Sequence, residues 1–164
     1  MKMRAAAEPT GAERARLAEP KHLAVRVYYE DTDFSGNVYH ASYLRFLERG
    51  RTEFLRALGI EHSRIFENGG SAGCHFVVRA MGIEFLRPAR MDDTLSVDTC
   101  LNGLGGASIE MRQEISRGGE ILLTANVKIA IVTGGKARRI PAEVFEKLKA
   151  VAPAPHQEKY LLKS

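Results

Sequence analysis

Asp33 stands where a carboxylate could do acid, base or nucleophilic work. The stretch Val25-Arg26-Val27-Tyr28-Tyr29-Glu30-Asp31-Thr32-Asp33-Phe34-Ser35-Gly36-Asn37-Val38-Tyr39-His40 begins in strand-like residues at 23–29. It passes through turn chemistry from Asp31 to Asn37 and changes to helical spacing from Val38. This order predicts Asp33 beside a helix N-terminus, where unpaired amides and the helix dipole favour negative charge. A carboxylate there can orient water, attack a carbonyl, or cap the helix, and composition alone favours the cap. On the same footing Asp31 reads as a structural residue of the turn, His40 as a capping or packing residue, and Tyr29 as a cross-strand aromatic.

The elements that would position these groups follow from periodicity. Leu44, Leu47, Phe54, Leu55 and Leu58 recur on one face of a long amphipathic helix, with Gly59 as its C-terminal cap. Tyr39 and Tyr43 read as helix-packing or interface residues, and Glu48 and Arg51 are spaced to pair across one turn. Residues 60–73 read as a connection with a short helix and an Asn68-Gly69-Gly70 breaker. From Cys74 the period falls to two, giving strands at about 74–87, 94–103, 106–117 and 120–133, and Pro141 opens a short helix running to about Val151. One strand, a long helix and a run of strands in tight turns is an α+β order, an antiparallel meander of about five strands curled over a central helix. Unpaired edges in so small a sheet point to a homodimer or homotetramer.

At 164 residues and 45% hydrophobic content the chain suits one domain. That domain is expected over 22–152, after an extension at 1–21 and before a tail at 153–164. The net charge of +4 comes from dispersed cations without a basic run or aromatic interleaving, so no nucleic-acid partner is expected. Cys74 and Cys100 are expected as free thiols in a reducing compartment, and no apolar run is long enough for a transmembrane segment or export signal, which points to the cytoplasm. His22, His62, His75 and His156 lack metal-ligand spacing, and neither a His-Glu-x-x-His nor a Gly-x-Ser-x-Gly motif occurs. Neither metal nor other cofactor is expected. Arg79, Arg87, Arg90, Arg138 and Arg139 are candidates for a phosphate-bearing ligand, against the plainer reading of solvated cations.

The pattern Tyr-Tyr-Glu-Asp-Thr-Asp-x-x-Gly-x-Val-Tyr-His-x-x-Tyr-Leu-x-Phe-x-Glu-x-x-Arg, Tyr28 to Arg51, resembles the signature of hotdog-fold acyl-CoA thioesterases of the hydroxybenzoyl-CoA thioesterase family. The likeness is greatest to its Tol-Pal-associated, YbgC-like branch. A second block, HFVVRAMGIEFLRPARMDD from His75 to Asp93, resembles the family's next segment, so the similarity extends over roughly 23–150. The chain departs at Ser42, where many relatives carry Asn, and Phe34-Ser35 is one of several fillings before Gly36. The resemblance implies a hotdog fold, subunit-interface active sites and hydrolysis of an acyl-CoA, with an acyl-carrier-protein thioester as substrate or a noncatalytic acyl-CoA-binding or envelope-complex scaffold as alternatives. It also implies roles by position: Asp33 as the catalytic carboxylate, the His40 amide as the donor that polarises the thioester carbonyl with its side chain also tied to activity, and Tyr29 near the acyl site.

Overall fold

The computed structural model describes residues 19–68 and 74–153. Its strands are β1 (Lys21–Arg26), β2 (His75–Phe85), β3 (Thr94–Leu104), β4 (Ser108–Arg117), β5 (Glu120–Thr133) and the short β6 (Lys136–Ala137). Its α-helices, among the described residues, are α1 (His40–Ala57), α2 (His62–Asn68) and α3 (Ala142–Lys149). The sheet runs β1-β3-β4-β5-β2, all antiparallel, with β6 added beside β5. This is the expected α+β hotdog architecture, an antiparallel sheet curled around one long helix.

Strict alternation builds the inner face: Leu95, Val97, Thr99 and Leu101 on β3, and Ile109, Met111, Gln113 and Ile115 on β4, point inward and are buried. They meet Phe46, Leu47, Phe54 and Leu55 of α1 in a single apolar core. Gly50 is the point of closest approach, because a Cβ there would sit 2.7 Å from Val97 Cγ1 and 2.9 Å from Thr99 Oγ1. The inward Gln113 is satisfied beneath it, donating to the Leu47 carbonyl at 2.9 Å and to Thr99 Oγ1 at 2.8 Å and accepting from Arg51 Nη1 at 2.9 Å. At the other end of α1, Gly59 adopts φ +69, and the Ile60 and Gly59 amides close on the Leu55 and Arg56 carbonyls, each at 2.9 Å. The cap expected at Gly59 is therefore a Schellman motif.

Four local expectations are corrected. The first strand ends at Arg26: Val27 still donates to its in-register partner, the Asp93 carbonyl, at 2.9 Å, but the chain then turns and residues Tyr29–Asp31 form a 3-10 turn. Leu44 is 41% exposed, whereas Tyr43 and Phe46 fill the core face in its place. Glu48 and Arg51 form no ion pair, since Arg51 turns inward to Gln113 and Glu48 accepts from the Thr52 hydroxyl at 3.0 Å. The strands do not run as a simple meander: β2 pairs with β5 at the far edge, and residues 86–93 carry the chain across to β3. Alternation marks which face a residue takes, but not which strand lies beside it. Of the expected terminal segments, residues 1–18 and 154–164 lie outside the described residues, as do Gly69 and Gly70 of the expected breaker and His156.

Candidate active site

Asp33 sits in a tight reversal between paired residues Thr32 and Val38. Its amide donates to the Asn37 carbonyl at 2.9 Å and its own carbonyl accepts from Gly36 at 3.0 Å. Gly36 takes φ +77 with open space around the missing Cβ, so the backbone angle, not crowding, calls for glycine. The side chain of Asp33 does not cap α1. Instead Oδ1 accepts from both the Ser35 amide at 2.8 Å and the Ser35 hydroxyl at 2.5 Å, an Asx-type turn. Oδ2 has no hydrogen-bond partner among the described residues and faces solvent. The Ser35 hydroxyl and amide, with a smaller contribution from nearby His40, outweigh slight desolvation and hold the Asp33 carboxyl below the usual carboxylate range.

The start of α1 is left open. Tyr39 occupies the N-cap without a side-chain cap, and the His40 amide finds no acceptor among the described residues. The exposed His40 ring lies against Tyr39 with centroids 4.3 Å apart. Tyr29 is 79% exposed on the 3-10 turn before Asp33, so the cross-strand reading gives way to a surface position. Asp31 is the structural residue expected: 5% exposed, it accepts the Tyr28 amide on Oδ2 at 3.0 Å, and its carbonyl takes the Tyr39 amide at 2.8 Å. Arg45 reaches Asp31 Oδ1 at 3.4 Å and the buried Ser42 hydroxyl at 3.0 Å, locking the turn to the helix.

A second layer comes from the 86–93 segment. The Tyr43 hydroxyl accepts the Ala89 amide at 2.8 Å, and the Ala89 carbonyl accepts the Val38 amide at 2.8 Å. Burial raises the Tyr43 pKa, which keeps the hydroxyl protonated. Asn37 bridges Arg90, so Arg90 comes beside the Asp33 reversal. Arg87 is engaged with Glu120 at 3.0 Å. Arg138 lies past β6, its amide on the Ile131 carbonyl at 2.9 Å, at the opposite end of β5 from the residues that pair with Phe85.

The remaining expected groups are placed elsewhere. Cys74 and Cys100 are free; Cys74 is buried, and burial pushes the Cys100 thiol up. His62 lies against Phe76, His75 against Phe66, and His22 on Asp98, so the described histidines do not converge. Sequence reasoning missed three features. Ser35 was legible only as turn filler, although its place two residues after an Asp is the Asx-turn spacing. Gln113 gave no signal beyond polarity at an inward register. A groove of about 570 Å³ between α1 and β2, lined by Leu44, Arg45, Glu48, Arg51, Val78, Met81 and Ile83, also had no sequence signature.

Comparison with known proteins matches residues 27–150 to the thioesterase-like superfamily. The acyl-CoA thioesterase YbgC of Haemophilus influenzae is 43% identical over 122 residues, covering 73% of this chain and 88% of that protein. The acyl-CoA thioester hydrolase YbgC of Escherichia coli is 39% identical over 128 residues, covering 76% and 92%. Among solved structures, a probable thioesterase from Bartonella henselae superposes with a TM-score of 0.72 at 46% identity, covering 74% of this chain and 99% of the other. The family match runs from before the Asp33 reversal through the long helix and strands β2 to β6, and on that breadth the chain belongs to the thioesterase-like superfamily.

Proposed function

We propose that this protein hydrolyses acyl-CoA thioesters to the free acid and CoA, with Asp33 as the essential carboxylate. The observation that carries the reading is the state of that side chain: one oxygen tied to Ser35, the other free, and the group held ionised beside an uncapped helix N-terminus. As a general base, Asp33 takes a proton from water while the new C–O bond forms and the C–S bond breaks; the thiolate leaves and is protonated from solvent. As a nucleophile, Asp33 displaces the thiolate to give an anhydride that water then opens. Either route develops charge on the thioester oxygen, and the free His40 amide at the start of α1 is the donor assigned to it. The Tyr29 ring is assigned to the approach of the acyl or pantetheine portion. The names and identities of the curated relatives support the substrate class.

The test is thiol release from a panel of acyl-CoA and acyl-carrier-protein thioesters by wild type, Asp33→Asn and His40→Ala, with circular dichroism on each preparation. Asp33→Asn should remain folded and lose at least ~100-fold in turnover. His40→Ala should lose less, because the backbone donor survives the substitution. Near-wild-type turnover in folded Asp33→Asn would falsify the assignment, and turnover confined to the carrier-protein arm would move the substrate class.

A further inference from the structure

Arg51 is a buried cation without an anion. It is 7% exposed, it forms no ion pair among the described residues, and its one hydrogen bond runs from Nη1 to the neutral Gln113 at 2.9 Å. Gln113 is fixed in turn by Leu47 and Thr99, so the guanidinium is held in place from below. No fully buried side-chain nitrogen or oxygen lacks a partner among the described residues, so the Arg51 nitrogens that make no hydrogen bond keep some exposure, and the residue lines two cavities. Desolvation of Arg51 outweighs the Coulombic help of Glu48, which therefore does not serve as a full counterion. Leaving a buried charge so weakly compensated is costly unless an acceptor arrives from outside.

The groove above Arg51 has the makings of a ligand site. Leu44, Val78, Met81 and Ile83 give it apolar walls, its volume is about 570 Å³, and its polar groups are few and clustered. It lies along the helix face that begins at His40. Leu44, Glu48 and Arg51 follow His40 by four, eight and eleven residues and so share one helix face, with Arg51 about 16 Å along the axis. The Arg side chain leans back toward the helix N-terminus, which shortens that distance to the reach of a medium acyl chain.

We propose that this groove takes the acyl group of the substrate, and that Arg51 selects acyl groups bearing an acceptor oxygen, as hydroxyl or carboxylate, at the end remote from the thioester. The inference rests on the thioesterase reading. An unsubstituted alkyl chain would cover the guanidinium and give it nothing to bond, whereas a terminal oxygen meets it. A hydroxyl could also donate to Glu48, and a carboxylate would add charge pairing with Arg51; the two arms of the test separate them.

The full-length chain is assayed on hexanoyl-CoA, 6-hydroxyhexanoyl-CoA and adipoyl-CoA, and kcat/KM ratios are compared. Wild type should favour at least one oxygenated chain over hexanoyl by about tenfold or more, Arg51→Gln should bring that ratio to within about threefold of unity, and Arg51→Lys should recover part of it. A wild type without preference overturns the proposal, as does Arg51→Gln with the wild-type ratio. Light scattering on the same variants covers the rival occupant: a lowered mass with an unchanged ratio would assign Arg51 to a second copy of the chain. If Arg51→Gln does not fold, Val78→Glu supplies an anion from the groove wall and should likewise erase the preference; a retained preference overturns the proposal. Absence of turnover by wild type on every thioester defeats the thioesterase reading itself, whereas turnover without preference defeats only this inference.

Discussion

At Asp33 the chemistry depends on which oxygen is committed, since Oδ1 receives both donors of Ser35 and leaves Oδ2 to act. Those donors hold the folded-state pKa below that of an ordinary carboxylate, so the group stays ionised further into acid. A base active when deprotonated then gives an acidic limb of kcat/KM below the usual carboxylate range. Ser35→Ala removes the hydroxyl donor, the larger influence, and should move that limb upward in pH. A pH–rate profile on the free enzyme checks this, and an unmoved limb would show that Asp33 is not the titrating group. At this scale the sequence disclosed the turn, the carboxylate and Gly36. It did not disclose that Asp33 would bond Ser35 in preference to the helix, because the two uses of an Asp in such a turn differ only by backbone angles.

Between elements, two contacts decide how well the helix start is held. Tyr43→Phe would strand the Ala89 amide in a buried site and should cost about 1–3 kcal/mol by urea denaturation. Because Ala89 also holds Val38, turnover should fall with it while far-ultraviolet circular dichroism stays unchanged. Gly50→Ala should lower stability by about 1–3 kcal/mol, seen as a reduced Tm, since its Cβ would press on Val97 and Thr99 unless α1 lifts from the sheet. The long helix and four of the strands were legible because their periods differ and persist. The place of Gly50 was not, for a glycine inside a helical pattern looks the same whether it merely weakens the helix or lets a sheet come close. Leu44 lost its expected core place for a related reason: hydrophobicity ranks leucine as a core residue, but the helix phase gives the buried position to Tyr43, whose hydroxyl finds Ala89.

For the molecule as a whole, β2 is one of the sheet's two edges, with β1 at the other. Eleven residues long, β2 pairs among the described residues only with β5 and carries Val77, Val78 and Phe85 at 39%, 44% and 53% exposure. Such an edge invites a second strand. The protein should therefore be at least a dimer at micromolar concentration by light scattering, and a stable, active monomer would contradict an interface-borne site. Edge positions could be foreseen in kind from the strand count, but the identity of the edge could not, because β2 finds its partner only after β3 and β4 have intervened. That delay also matters during synthesis. As the chain leaves the ribosome, β2 emerges about forty-five residues ahead of β5, and Val38, which closes the Asp33 reversal, waits about fifty for the Ala89 carbonyl. Until β5 emerges, the nascent chain presents an apolar strand with both edges bare, the interval in which a chaperone, or another nascent copy on the same message, has its clearest opportunity to engage it.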